Sequence, residues 1–66
     1  MKLSNNIKKY RKKVGLTQAE LAELVQVSRK TINTVENGVF IPSTMLALSI
    51  AKILNLAVED IFFLEL

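Results

Sequence analysis

The stretch Thr17–Gly38, TQAELAELVQVSRKTINTVENG, constrains this chain more than any other. Thr17 and Glu20 stand at capping-box spacing: the hydroxyl accepts from the backbone N–H three residues on, and the carboxylate accepts from the backbone N–H of Thr17. Behind them Leu21, Leu24 and Val25 fall on one helical face, and Ala22 is small enough for a close neighbour. Gln26-Val27 marks a turn, and Ser28 restarts a helix as its N-cap. In this second helix Ile32 and Val35, three apart, must point inward. Arg29, Lys30, Asn33 and Thr34 are then left on the outer face. Asn37-Gly38 closes the helix with a residue suited to the left-handed conformation.

What surrounds that stretch must be a small, unstapled core. At 66 residues, with neither Cys nor His, the chain is one domain without disulfides, thiolate nucleophiles or ordinary zinc sites. Half of its residues are hydrophobic, mostly aliphatic, so apolar packing has to hold it together. No apolar run approaches the roughly 20 residues that span a bilayer. The N-terminus lacks the apolar core of a signal peptide, and the expected location is the cytoplasm. The net charge of +3 is unevenly spread: eight basic and three acidic residues run through Glu36, against one Lys and three acids beyond it. A positive half of this kind suits a polyanion.

Upstream, Met1-Lys2-Leu3 alternates and can pair as an edge strand. Ser4 or Asn5 is placed to cap a first helix running to about Val14, with Gly15 as its stop. Its inward stripe is Ile7, Tyr10 or Arg11, and Val14, leaving Lys8, Lys9, Lys12 and Lys13 mostly outside to draw in a polyanion or simply to face solvent. Arg11 lies close to the apolar stripe and needs a carboxylate, and Glu36 is the candidate for a structural ion pair. Downstream, Pro42 holds Ile41 extended and Ser43 caps a helix over Thr44–Leu54. Its buried stripe is Leu46, Ile50, Ile53 and Leu54, with Ala47 and Ala51 permitting close approach and Asn55 ending it. A last short helix, about Val58 to Phe62, carries Glu59 and Asp60 at its positive end. The tail is apolar: Phe62 and Leu64 can fold back on Leu3 as a small two-stranded closure, the segment can meet a partner, and the two are compatible.

Two helices of about two turns, joined by a three- to four-residue turn, form the helix-turn-helix layout, which offers its second helix to the DNA major groove. Arg29 or Lys30 can donate to guanine O6 and N7, Asn33 can bridge adenine N6 and N7, and Thr34 or Thr31 can touch a thymine methyl. Gln18 and Ser28 bring backbone N–H groups at helix starts to phosphate oxygens. The expected base-contacting set is Arg29, Lys30, Asn33 and Thr34, with Ser28 expected at phosphate.

Leu16-Thr17-Gln18-Ala19-Glu20-Leu21-Ala22, Val27-Ser28-Arg29-Lys30-Thr31-Ile32 and Glu36-Asn37-Gly38 together resemble the Cro/C1-type (XRE) helix-turn-helix repressors. Pro42-Ser43, Leu46-Ala47-Leu48 and Ala51-Lys52-Ile53-Leu54 resemble the family's fourth helix, and Val58-Glu59-Asp60-Ile61-Phe62 its fifth. The likeness covers about residues 5–62. It implies an all-α, five-helix, lambda-repressor-like bundle, with room for a small two-stranded β pairing of the termini, that binds a palindromic operator as a homodimer. By position it makes Gln18 and Asn37 phosphate contacts, sets Ser28, Arg29, Lys30 and Thr34 against bases or their flanking phosphates with Asn33 beside them, and makes Arg11–Glu36 an internal ion pair. Gln26 departs from the pattern, since the family often has Gly in that turn.

The expected organisation is one domain over residues 1–66, with a helix-turn-helix core at 17–38 and a dimerisation segment at about 55–66. Leu56, Val58, Ile61 and Phe62 form the expected dimer interface, because they exceed what five short helices can bury. The leading function is a sequence-specific regulator of double-stranded operator DNA, most often a repressor. The alternative is an antitoxin-like module whose apolar C-terminal segment holds a partner protein. Six carboxylates without His or Cys give no acid/base pair beyond Glu59-Asp60, so an enzyme is not expected. No metal, cofactor or small-molecule effector has sequence support.

Overall fold

Four residues with positive φ punctuate the chain: Gly15 (78°), Gln26 (60°), Gly38 (74°) and Asn55 (57°). Each ends a helix in the same way. The left-handed residue turns its own N–H back to one carbonyl of the last turn, and the next residue's N–H reaches a carbonyl further down. Gly15 and Leu16 bond Lys12 and Arg11 in this manner, and Gln26 and Val27 bond Glu23 and Ala22. Gly38 and Val39 bond Val35 and Thr34, and Asn55 and Leu56 bond Lys52 and Ala51, all at 3.0–3.2 Å. This is the paired C-terminal closure that satisfies carbonyls the helix itself leaves open.

Between these stops, the computed structural model, which describes residues 1–66, places β1 (Lys2–Asn5), α1 (Ile7–Lys13), α2 (Gln18–Leu24) and α3 (Arg29–Glu36). There follow α4 (Thr44–Leu54), α5 (Val58–Ile61) and β2 (Phe62–Glu65). Helix starts are equally legible. Thr17 and Glu20 make the reciprocal capping box, and the Ser28 and Ser43 hydroxyls accept from Thr31 and Leu46 N–H, each at 3.1 Å. The first helix starts later than the sequence suggested. Ser4 and Asn5 belong to β1, and the residue before the helix is Asn6, which makes no side-chain cap bond. Asn5 is used differently. Its Oδ1 accepts from Ile7 N–H at 3.1 Å while its Nδ2 donates to the Val35 carbonyl at 2.9 Å, tying the end of α3 to the start of α1.

The core is one cluster to which every helix contributes: Ile7, Leu21, Ala22, Ile32, Val35, Leu46, Ile50, Ala51, Leu54, Ile61 and Phe62. Ile7, Leu21, Ile32, Ile50 and Ile61 are completely buried, each stabilising the fold by about 1.5–3 kcal/mol relative to exposure. Three stripe assignments do not hold. Val14 lies past the end of α1 and is 54% exposed, Leu24 is the last residue of α2 and is 52% exposed, and Ile53 is 39% exposed. In each case the inward position goes to a better-phased neighbour: Arg11 in α1, Leu21 in α2 and Leu54 in α4.

The termini close the bundle. β1 and β2 pair antiparallel in the register Lys2↔Glu65, Leu3↔Leu64, Ser4↔Phe63 and Asn5↔Phe62. The Asn6 N–H extends this closure by donating to the Ile61 carbonyl at 2.8 Å, and the Ser4 hydroxyl bonds the Glu65 carboxylate. The architecture is therefore five helices plus one two-stranded sheet. No helix is long and apolar enough to cross a membrane.

Candidate nucleic-acid interface

Helix α3 is amphipathic in the simplest sense. Ile32 and Val35 anchor it in the core at 0% and 1% exposure, so Arg29, Lys30 and Asn33 are turned to solvent, with Thr34 half-buried beside them. Arg29 and Lys30 have no carboxylate within ion-pair distance, because the molecule's one ion pair lies elsewhere. Their charge stays available to an external anion. Thr34 turns its hydroxyl back onto the Lys30 and Thr31 carbonyls, both at 3.0 Å, so that group is engaged within the helix. Ser28 is occupied as the cap, and its hydroxyl also shares a hydrogen bond of 2.9 Å with the Thr31 hydroxyl.

The one ion pair locks this helix to α1. Arg11 Nε donates to Glu36 Oε2 at 2.7 Å and Nη2 donates to Oε1 at 3.2 Å, while Nη1 donates to the Leu16 carbonyl at 2.9 Å. Both side chains are almost wholly buried, at 7% and 4% exposure. The bidentate geometry and the third bond to a carbonyl are what a buried guanidinium requires. Helix α3 thereby has its C-terminal end clamped to α1 and its inner face clamped to the core.

Gln18 extends that clamp to the surface. Its Nε2 donates to Glu36 Oε1 at 3.1 Å and to Asn33 Oδ1 at 3.2 Å, and Asn37 Nδ2 approaches the same Asn33 oxygen at 3.4 Å. Sequence spacing carried no sign of this link, since Gln18 lies 15 and 18 residues from its partners. Both amide protons of Gln18 are used inside the protein, so the donors left at this position are backbone N–H groups in the first turn of α2. Lys12, Thr17, Gln18 and Arg29 line one open depression, which places a free lysine and a free arginine at the start of α2. Glu20, in the same turn, has its carboxyl held below its ordinary value of 4.5, first by the backbone N–H of Thr17 and then by the Thr17 hydroxyl.

The sequence-predicted site residues therefore divide. Gln18, Asn33 and Asn37 are joined in one hydrogen-bonded group, and Arg29, Lys30 and Thr34 share the solvent side of α3. The expected dimer segment splits in two. Leu56 and Val58 remain partly exposed, but Ile61 is fully buried and Phe62 is 9% exposed in the chain's own core. Helix α5 uses Ile61 to close the bundle, so that side chain has no surface to offer a partner, while Phe62 begins β2 and shows only an edge, in a groove it lines with Leu48 and Val58.

A family model for the helix-turn-helix, HTH_3, matches residues 7–61. The HTH-type transcriptional regulator YgzD of Bacillus subtilis is 40% identical over 63 residues, which is 96% of either chain. The HTH-type transcriptional regulator MJ0272 of Methanocaldococcus jannaschii is 44% identical over 63 residues, again 96% of each. Among solved structures, the restriction-modification controller protein C.AhdI of Aeromonas hydrophila superposes with a TM-score of 0.77 at 28% identity, over 82% of both chains. Matching family residues, near-full-length relatives and a shared fold lead to one conclusion: the chain belongs to the Cro/C1-type (XRE) helix-turn-helix family of transcriptional regulators.

Proposed function

We propose that this protein binds double-stranded operator DNA sequence-specifically, with α3 in the major groove, and represses transcription by occupying its site. The observation that carries the reading is the solvent face of α3. Two unpaired cations, an amide and a threonine stand side by side on a helix that a buried ion pair holds rigid. Arg29 and Lys30 are suited to guanine O6 and N7, and Thr34 to a thymine methyl. Backbone N–H groups at the starts of α2 and α3, together with Asn37, are suited to phosphates that fix the docking register.

One copy covers one half-site, so the operator is proposed to be palindromic and bound by a homodimer, with half-sites about 34–36 Å apart. With Ile61 in the core, the pairing surface falls to Val58 and the apolar residues that line one groove with it, Leu3, Leu48 and the edge of Phe62. Leu56 faces a separate groove beside Lys13. Leu48 lines a shared groove with Val58, and Val39, Ile41 and Met45 are 72–79% exposed. No charged residue lies between Glu36 and Lys52, so this surface suits an equally uncharged copy of itself rather than a polyanion.

Selection of bound duplexes from a random pool tests binding, palindromy and spacing at once. A two-fold-symmetric consensus is expected, and Arg29→Ala should lower affinity for it by about five- to a hundredfold, the range for one good base contact. A pool with no enriched motif refutes the reading. A reporter fused downstream of the selected site should fall on expression of the protein. A rise would make it an activator instead.

A further inference from the structure

We propose that the side-chain amide of Asn33 is held in one orientation, as an outward hydrogen-bond donor, by a relay that starts at the buried ion pair and runs Arg11–Glu36–Gln18–Asn33. The inference rests on the DNA-binding reading above and deepens it by assigning what Asn33 reads.

The polarity follows from which atoms can only accept. Arg11 holds the Glu36 carboxylate through two hydrogen bonds, and a carboxylate so held is an acceptor alone. The end of Gln18 that faces Glu36 Oε1 at 3.1 Å must therefore be its nitrogen. That same nitrogen faces Asn33 at 3.2 Å and has one proton left, so Asn33 has to meet it with oxygen. Asn37 Nδ2 approaches the same oxygen at 3.4 Å. At that length the Asn37 contact is at most a weak hydrogen bond, so it is the Gln18 bond that turns the Asn33 oxygen inward. Asn33 Nδ2 makes no hydrogen bond inside the molecule, and the residue is exposed.

A free asparagine recognises adenine by donating to N7 while accepting from N6. Here the accepting half is turned inward. What Asn33 turns outward is a donor, suited to guanine O6 and N7 and, through a single bond, to adenine N7 or thymine O4. Cytosine, which presents a donor amine in the major groove, meets donor with donor and is rejected. Gln18 and Glu36 act as positioning residues, since they reach the base only through Asn33.

The test combines selected pools with side-chain amide NMR of the free protein. The wild-type pool should disfavour cytosine at one position of each half-site, by about fivefold or more, and should not favour adenine over guanine there. Asn33→Ala should flatten that position alone. Gln18→Leu, which leaves the Arg11–Glu36 bonds in place, releases the amide and should move the same position toward adenine. A wild-type preference for adenine over guanine overturns the proposal, as does a Gln18→Leu pool unchanged from wild type or an Asn33→Ala pool that keeps the position intact. In the free protein, the Gln18 amide protons should exchange more slowly than those of Asn33 and show contacts to the Glu36 Hγ protons. The reverse ordering overturns the relay without any DNA present. A protein with the expected NMR pattern but no enriched motif refutes the DNA-binding reading and leaves the amide orientation standing.

Discussion

Arg11 and Glu36 show how one buried pair carries both stability and shape. Each side chain is more than nine-tenths buried, and the guanidinium is satisfied by two carboxylate oxygens and one carbonyl. Glu36→Ala leaves Arg11 as an uncompensated buried charge, at a cost of about 3–5 kcal/mol. For a chain this small that is a large share of a total stability of roughly 0.05–0.15 kcal/mol per residue. Urea titration followed by far-UV circular dichroism should show a midpoint far below that of the wild type. Gln26 is the opposite case. Its φ of 60° places a side chain in the left-handed region, at roughly 1–2 kcal/mol for an L-residue. Gln26→Gly removes that strain but loosens the unfolded chain by about 0.5–1 kcal/mol. A net gain of about 0–1.5 kcal/mol is expected, read as an unchanged or raised Tm. A fall in Tm would mean that the Gln26 side chain does something in the turn beyond occupying it.

The elements are short, and at that length their ends decide as much as their faces. Helix α2 has seven residues and depends on its capping box. Thr17→Ala should cost about 1 kcal/mol in a thermal melt. The same box makes stability pH-dependent. The Glu20 carboxyl is lowered in the folded state by bonds from Thr17, so its contribution is complete above the ordinary value of 4.5 and fades as pH falls below it. Glu20→Gln should flatten that acid limb of a Tm-against-pH curve, while leaving the neutral-pH region with the same slope. Short helices also explain which faces the sequence placed wrongly. Ser28, Ser43, Gly15, Gly38 and Asn55 act locally, through bonds within one turn, and each occupies its expected role. Val14, Leu24 and Ile53 sit at or beyond a helix's last turn, where a small shift in phase exposes the side chain. The Asn5 bridge and the Gln18 links join elements far apart in sequence and left no periodic trace.

For the whole molecule, the division of surface is the main feature. The cations Arg29, Lys30 and Lys12 lie around α3 and the start of α2, whereas the charge-free stretch from Asn37 to Ala51 exposes Val39, Phe40, Ile41, Met45 and Leu48. If that stretch is the pairing surface, a two-fold interface doubles any charge placed in it. Leu48→Glu, at a position already 57% exposed, should then leave the fold intact and shift sedimentation from a dimer to the 7.4 kDa monomer. DNA affinity should fall with it, because each half-site would be held alone. Wild-type protein that sediments as a monomer at high micromolar concentration contradicts this assignment.

Caps, stops, helix order and the inward pair Ile32 and Val35 follow from residues acting over one or two turns, and these were legible in the amino-acid order. So was the need of Arg11 for a carboxylate, because a charge beside an apolar stripe must be paired. The tertiary structure alone decided how the apolar surplus of the C-terminal segment is shared. Ile61 and Phe62 fill the chain's own core, since β1 pairs with β2 and draws that segment inward. It also decided the direction in which Asn33 faces. That depends on atoms contributed by three helices, whose proximity no local pattern encodes.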